Sequence, residues 1–243
     1  MREKESVVTG KNQVIEALKS GQTVNKVFLL RDGRGLNEIH KIARENKVPI
    51  QYVSKKKLDS IDGGGKHQGA AVILAARSYI DFEDLLANCK KVEKPLLLIL
   101  DELEDPQNLG AIMRSAEAAG CQSIIIPERR SVSLNNTVAR TSAGAIEYIP
   151  VCRVKNLADT IENLKKEGFW VVGCDMSGKE QIYDVDLNIP IALVIGGEGK
   201  GIRRLVQEKC DYLVRIPMEG RLNSLNASAA ASVVLFEALR QRK

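Results

Sequence analysis

The sequence is poor in aromatics, in histidine and in long uncharged runs, and each shortage removes a class of function. Phe, Trp and Tyr make up 4% of 243 residues. The front of the chain has only Phe28, Tyr52 and Tyr79, too few and too scattered for a base-stacking platform. The two histidines are His40 and His67. Beyond them no Ser-His-Asp triad, Cys-His dyad or His-ligated zinc site can be assembled. The five cysteines are an odd number with no CxxC pair, which is the usage of reduced, buried thiols in a cytosolic protein. The longest uncharged run, Leu222 to Phe236, is short of a membrane span and is broken by Asn223, Ser224, Asn226, Ser228 and Ser232. The opening MREKESVVTGKNQ lacks the apolar stretch of a secretory signal. A cytoplasmic protein without membrane segment or disulfide framework is expected.

What is present is enough apolar residue, 44%, for one large domain or two small ones, with 28% charge arguing against disorder. The charge is unevenly spread. Residues 1–80 hold 15 Lys/Arg against 8 Asp/Glu, a net of +7, while residues 81–243 hold 21 against 23. A polyanion partner for the front of the chain and a merely solvated basic surface both fit that surplus.

Residues 1–76 alternate short helical and strand-like runs: a helix over 13–18, a strand over 26–30, a helix over 36–46, a strand over 51–53, a helical turn over 57–61 and a strand over 70–76. Before the last strand lies a glycine-rich loop carrying Lys66 and His67. Residues 77–94 read as one amphipathic helix in a charged connection ending before Pro95, which places a domain boundary there. Over 95–243, apolar runs at 96–100, 123–126, 170–174, 191–195 and 212–216 are separated by helical patterns near 109–119, 135–146, 157–167, 201–209 and 223–241. Continuous apolar strands with intervening helices imply a parallel sheet covered on both faces, with ligands bound beyond the carboxyl ends of its strands.

Three unusual segments follow such ends. In Asp105 to Arg114, Asn108 can cap a helix, while Arg114 shares a face with Gly110, whose small size could leave room beside a guanidinium suited to phosphate or an oxyanion. In Gly196-Gly197-Glu198-Gly199-Lys200-Gly201 the spacing fits neither a dinucleotide fingerprint nor a P-loop, and Glu198 opposes a bound phosphate. Gly173 to Lys179 comes nearer to a P-loop but has Glu180 where the metal-binding hydroxyl belongs. A glycine turn of this kind still suits a neutral or cationic ligand against bare backbone. In Ile216 to Ser228, Ser224 and Asn226 can be caps of a nearly uncharged helix expected to be buried on most sides, against the sheet and a second subunit or wholly inside.

Taken in this order on these elements, Asn108-Leu109-Gly110-x-x-x-Arg114, Gly196 to Gly201, and Ile216-Pro217-Met218 with Ser224-Leu225-Asn226-Ala227-Ser228 resemble the three motifs of the SpoU–TrmH family of RNA ribose 2′-O-methyltransferases. GKNQVIEAL, NKVFLL and KHQGAA are similar to the ribosomal-protein-like RNA-binding domain attached to many members. The resemblance implies an α/β chain: an RNA-binding domain at 1–76, a linker at 77–94 and a SPOUT methyltransferase domain at 95–243, its parallel sheet threaded into a deep trefoil knot. It implies S-adenosylmethionine held around Gly196, Gly197, Gly199, Ile216, Met218 and Leu225, a homodimer, and no metal. Arg114 would hold phosphate and stabilise alkoxide charge, since a guanidinium with a pKa above ~12 is a poor base. Glu198 and Asn226 would orient or accept the proton, with Asn108 and Ser224 in support. RNA contacts are expected at Lys55, Lys56, Lys57, Lys66 and His67. With this length and both domains, the resemblance is nearest to members that act on 23S rRNA, and it implies a guanosine ribose there as the target. A tRNA target, or a non-catalytic RNA-binding or ribosome-assembly factor of the same fold, remain the alternatives.

Overall fold

The computed structural model describes residues 6–19, 24–62, 67–74, 79–199, 201–220 and 224–243. Its contacts divide the chain into two compact units, residues 1–78 and 79–243.

The first unit runs β1 (Ser6–Thr9), α1 (Lys11–Lys19), β2 (Val24–Leu30), α2 (Asn37–Glu45), β3 (Ile50–Val53), α3 (Lys55–Asp62) and β4 (Ala70–Leu74). The strands form one sheet in the order β1-β4-β2-β3. β2 and β3 are parallel, and β4 is antiparallel to both β1 and β2. Helices α1 and α2 bury Val14, Leu18, Ile39, Ile42 and Ala43 on one face, and Leu58 of α3 packs with Phe28 and Val53 on the other. The spacing of Ile39, Ile42 and Ala43 is that of a single helical stripe, which is why α2 lies flat on the sheet.

The second unit runs α4 (Phe82–Cys89), β5 (Leu96–Asp101), α5 (Pro106–Ala118), β6 (Ser123–Pro127), α6 (Asn136–Thr141), β7 (Val151–Val154), α7 (Leu157–Lys166), β8 (Trp170–Cys174), β9 (Glu180–Gln181), β10 (Ile191–Gly196), α8 (Arg204–Gln207), β11 (Tyr212–Arg215) and α9 (Ala227–Arg242). Its strands pair in parallel in the order β7-β6-β5-β10-β8-β11-β9. β5 shows why the strands are apolar without a break. Leu96, Leu98 and Leu100 pack with residues of α5, α6 and α9, while Leu97 and Ile99 pack with residues of α4, α7 and α8. β7 and β9, at four and two residues, escape a pattern search based on long apolar runs.

One expectation changes and another narrows. The helix placed over 77–94 occupies Phe82–Cys89 and belongs to the second unit, where Leu85 and Cys89 are buried and the Ile80 N–H donates to the Val151 carbonyl (3.0 Å). The last helix is not wholly internal to the chain, which leaves packing against the sheet and a second subunit as the reading of its uncharged surface. Ala227, Ala231, Val234, Leu235 and Ala238 face the core, whereas Ala229 is exposed and Phe236 stays 48% exposed.

The sheet order fixes where a ligand site can form. From β5 the chain moves outward to β6 and β7; β10 later enters between β5 and β8, and β11 between β8 and β9. The carboxyl ends of β5 and β10 lie side by side, with Gly196 opposite Asp101. There the connections diverge toward opposite edges of the sheet, which is the switch point at which open parallel sheets form a ligand crevice.

Candidate active site

The first side of the crevice is the start of α5. Asp105, not Asn108, is its cap: the Asp105 carboxylate accepts from the Gln107 N–H (2.9 Å), and Pro106 occupies the first helical position, where its missing N–H costs nothing. Asn108 therefore lies inside the first turn, only 6% exposed, with its amide directed away from its own backbone. Gly110 also differs from expectation. A Cβ there would stand 1.8 Å from Thr141 Oγ1, so its small size admits α6 against α5 and leaves no room beside Arg114.

The second side is the turn after β10. The Gly197 N–H donates to the Asp101 carbonyl (2.7 Å), and a Cβ on Gly197 would meet the Glu102 carbonyl at 2.2 Å. Only glycine lets the turn lie flush on the end of β5. Glu102 itself is held at φ +55, an uncommon backbone state for a residue with a side chain.

Behind the turn stands a clamp that sequence reasoning missed. Asp101 is fully buried; its Oδ1 accepts from Arg203 Nε (2.8 Å) and Nη2 (2.7 Å), and its Oδ2 accepts from the Arg203 backbone N–H (2.8 Å). This hydrogen bonding raises the Arg203 guanidinium above its usual range. On the opposite side, Asp175 at the end of β8 accepts from the N–H groups of Ser177 (2.9 Å) and Ile202 (3.3 Å) and from the Ser177 hydroxyl (2.7 Å). Burial pushes the Asp175 carboxyl up, but these bonds and one from Gln207 together hold it below the usual range. The turn is thus gripped by one carboxylate from β5 and one from the end of β8.

The third side is the start of α9. Asn226 is its cap, accepting at Oδ1 from the Ser228 N–H (2.9 Å) and hydroxyl (2.5 Å). Its amide nitrogen donates to Glu198 Oε1 (2.9 Å), and the same oxygen accepts from the amide of Asn108. Glu198 thereby joins residues that are 90 and 28 positions away in the chain. A further hydroxyl pair, Ser115 with Ser232 (2.8 Å), ties α5 to α9.

The remaining expected residues take other positions. Arg114 and Ser224 are exposed and form no hydrogen bond or ion pair among the described residues, so neither joins the Asn108–Glu198–Asn226 cluster. Ile216 and Met218 are half-buried, and Leu225 is 39% exposed. Lys55, Lys56 and Lys57 stand exposed in the first turn of α3, and Lys66 lies outside the described residues. His67 is turned inward rather than exposed. It is buried, its Nδ1 accepts from the Gly69 N–H (2.9 Å), and Nε2 is 3.1 Å from Asp59 Oδ1, so the ring is spent on fastening the chain into β4. Among the described residues no group of three or more His, Cys, Asp or Glu could hold a metal ion. Burial pushes the thiols of Cys121, Cys152 and Cys210 up to about 12, which makes them inert near neutral pH.

Two family models match the chain, one of them over most of this unit. Residues 95–236 match the SpoU rRNA methylase family, and residues 7–80 match the RNA 2′-O ribose methyltransferase substrate-binding family. The chain belongs to the SpoU rRNA methylases, and so to the RNA 2′-O-ribose methyltransferases. It is 49% identical over 246 residues to YacO of Bacillus subtilis (strain 168), a protein assigned by name to the TrmH family of tRNA/rRNA methyltransferases, with 100% of this chain and 98% of YacO covered. A Staphylococcus saprophyticus protein assigned to the same family is 47% identical, covering 98% of this chain and 96% of that one. Among solved structures, the SpoU methyltransferase AviRb from Streptomyces viridochromogenes, in complex with the cofactor AdoMet, superposes with a TM-score of 0.71 at 26% identity, covering 98% of this chain and 90% of that one.

Proposed function

We propose that the chain transfers a methyl group from S-adenosylmethionine to the ribose 2′-hydroxyl of a guanosine in 23S rRNA. The observation that carries this reading is the convergence on Glu198, where amides from the start of α5 and the start of α9 meet the turn after β10. Three segments with separate structural duties would have no reason to share one exposed carboxylate oxygen unless their mutual position mattered.

The residues present suit the donor. A sulfonium is cationic, and Glu198 gives the turn a negative charge. Ile216, Met218 and Leu225 offer apolar surface left partly in solvent, and Gly196, Gly197 and Gly199 offer backbone without side chains. These six residues would hold S-adenosylmethionine, which when bound supplies a methyl group electrophilic enough to need no metal. The protein's own share is positioning, because the attacking oxygen must be in line with the departing sulfur. Arg114, exposed at the outer side of α5, takes a phosphate of the RNA and stabilises negative charge growing on the 2′-oxygen. Glu198 Oε1 is occupied by the two amides, so Oε2 is the oxygen of that carboxylate left to receive the hydroxyl proton. Ser224, exposed beside Asn226, supports the ribose. A knotted second unit fits the late insertion of β10 and β11 between earlier strands. A homodimer fits the exposed Phe236 on an otherwise apolar stretch of α9.

The test is labelled S-adenosylmethionine with unmodified 23S rRNA, then mapping of the labelled nucleotide, with Arg114→Ala in parallel. Label on one guanosine 2′-oxygen, lost in the variant, is the expected result. Label on tRNA alone would move the substrate. No label on either RNA would favour a binding factor of the same fold.

A further inference from the structure

The front unit's aromatics looked too scattered to stack a base, but folding supplies a partner that is not itself Phe, Trp or Tyr. Tyr52 lies on β3, an edge strand of its sheet, and His40 of α2 stands against it: ring centroids are 5.7 Å apart with planes tilted by 30°, and the Tyr52 hydroxyl lies 3.4 Å from His40 Nε2. Yet Tyr52 stays 48% exposed. His40 also lines a shallow cleft with Asn37, Lys41, Arg44 and Glu45. Residues 37, 40, 41 and 44 share one face of α2 by helical spacing, so an exposed ring, an imidazole and two cations open side by side onto solvent.

We propose that this patch takes an unpaired nucleotide of the RNA substrate, with the base stacked on Tyr52 and the flanking phosphates on Lys41 and Arg44. The inference rests on the proposed function and names the part of the RNA that the front unit grips. An aromatic face next to cations is the general solution for holding single strands without reading their sequence. A duplex would not engage the ring, because its base faces are covered by stacking. His40 fixes the ring before the RNA arrives, which lowers the cost of ordering it on binding. Glu45, the one carboxylate in the cleft, marks the end where a phosphate would not sit.

The test compares the full chain with Tyr52→Ala, Tyr52→Phe and Arg44→Gln, using a labelled single-stranded oligoribonucleotide of mixed sequence and a duplex of equal length over a salt series. Tyr52→Ala is expected to weaken single-strand binding by about tenfold or more while leaving the duplex affinity unchanged. Its salt slope should match the wild type because no charge is removed. Tyr52→Phe should bind like the wild type, and Arg44→Gln should lower the single-strand slope by about 0.7. Unchanged single-strand affinity in Tyr52→Ala, or equal losses on single strand and duplex, would overturn the platform. Methyl transfer by the wild type is read in the same preparations. Its absence beside an intact Tyr52 effect would remove the enzymatic reading alone, and its presence without a Tyr52 effect would remove the platform alone.

Discussion

In the first unit the groups proposed to meet RNA stand in water: Lys55, Lys56, Lys57 and Tyr52 are exposed, and among the described residues only His67 is a buried polar side chain there. In the second unit Asp101, Asn108, Ser123, Ser142, Thr160 and Glu237 are buried, and Asp101 and Asn108 stand at the crevice itself. The contrast follows from what each half has to do. Attraction of a polyanion acts over a Debye length of about 8–10 Å and tolerates mobile side chains. A displacement at carbon requires atoms held to within fractions of an ångström, which only a packed interior can enforce. On the proposed function, one chain uses loose charge to collect its substrate and fixed hydrogen bonds to act on it.

The largest effect expected from blurring this contrast is in stability of the second unit. Arg203→Ala leaves the Asp101 carboxylate buried with only backbone donors. Because Arg203 is partly exposed, the cost falls near the low end for a broken buried pair, about 3 kcal/mol, read from the denaturant midpoint. A loss under about 1 kcal/mol would show that the clamp is dispensable. Next, Gly197→Ala should push the turn off the Glu102 carbonyl and lower turnover about 100-fold, since a shift near 1 Å at a reacting centre costs that much. Affinity for RNA should not change, and a matching fall in RNA affinity would mean the two halves are not separable in this way. Glu198→Gln keeps a carbonyl oxygen for Asn108 and Asn226 but removes the charge. Turnover is expected to fall by about tenfold or more with the melting temperature nearly constant; full activity would reduce Glu198 to a bridge. Arg114→Lys retains charge without the planar fork, and a fall of about tenfold is expected, against near-full turnover if any cation suffices. The smallest effect concerns the front alone. Replacing Lys55, Lys56 and Lys57 together by Ala should flatten the salt dependence of RNA affinity by up to about 2–3 in slope, leaving turnover at saturating RNA intact.

Much of the second unit was legible because its strands are long and apolar, and a buried parallel sheet requires that pattern. The order of those strands was not legible, because nothing local in Ile191 to Gly196 says that β10 enters between β5 and β8. The three site segments could be located, but capping was one of two readings open for Asn108, because an Asn before an apolar helix usually is a cap; Asp105 followed by Pro106 was the signal for the true cap. Arg203 went unnoticed because it looks like an ordinary surface arginine until Asp101, 102 residues earlier, is brought beside it. His67 failed differently. Its glycine-rich surroundings suggested an exposed loop, whereas its ring hydrogen-bonds inward to Asp59 and Gly69. Histidine as a ring partner for Tyr52 was invisible for the same reason, since the two lie on different elements.

The seating of β10 beside β5 also has a kinetic consequence. During synthesis β5 is made early, and one side of it has no partner until Ile191 to Gly196 has emerged. Contacts of such long sequence separation form slowly, and an unpaired strand edge invites association with other chains in the meantime. On the proposed function, the same delay governs activity. Asn108 waits for Glu198, and Glu198 waits for Asn226, so a nascent or truncated chain can present its basic front unit to RNA long before it can modify anything.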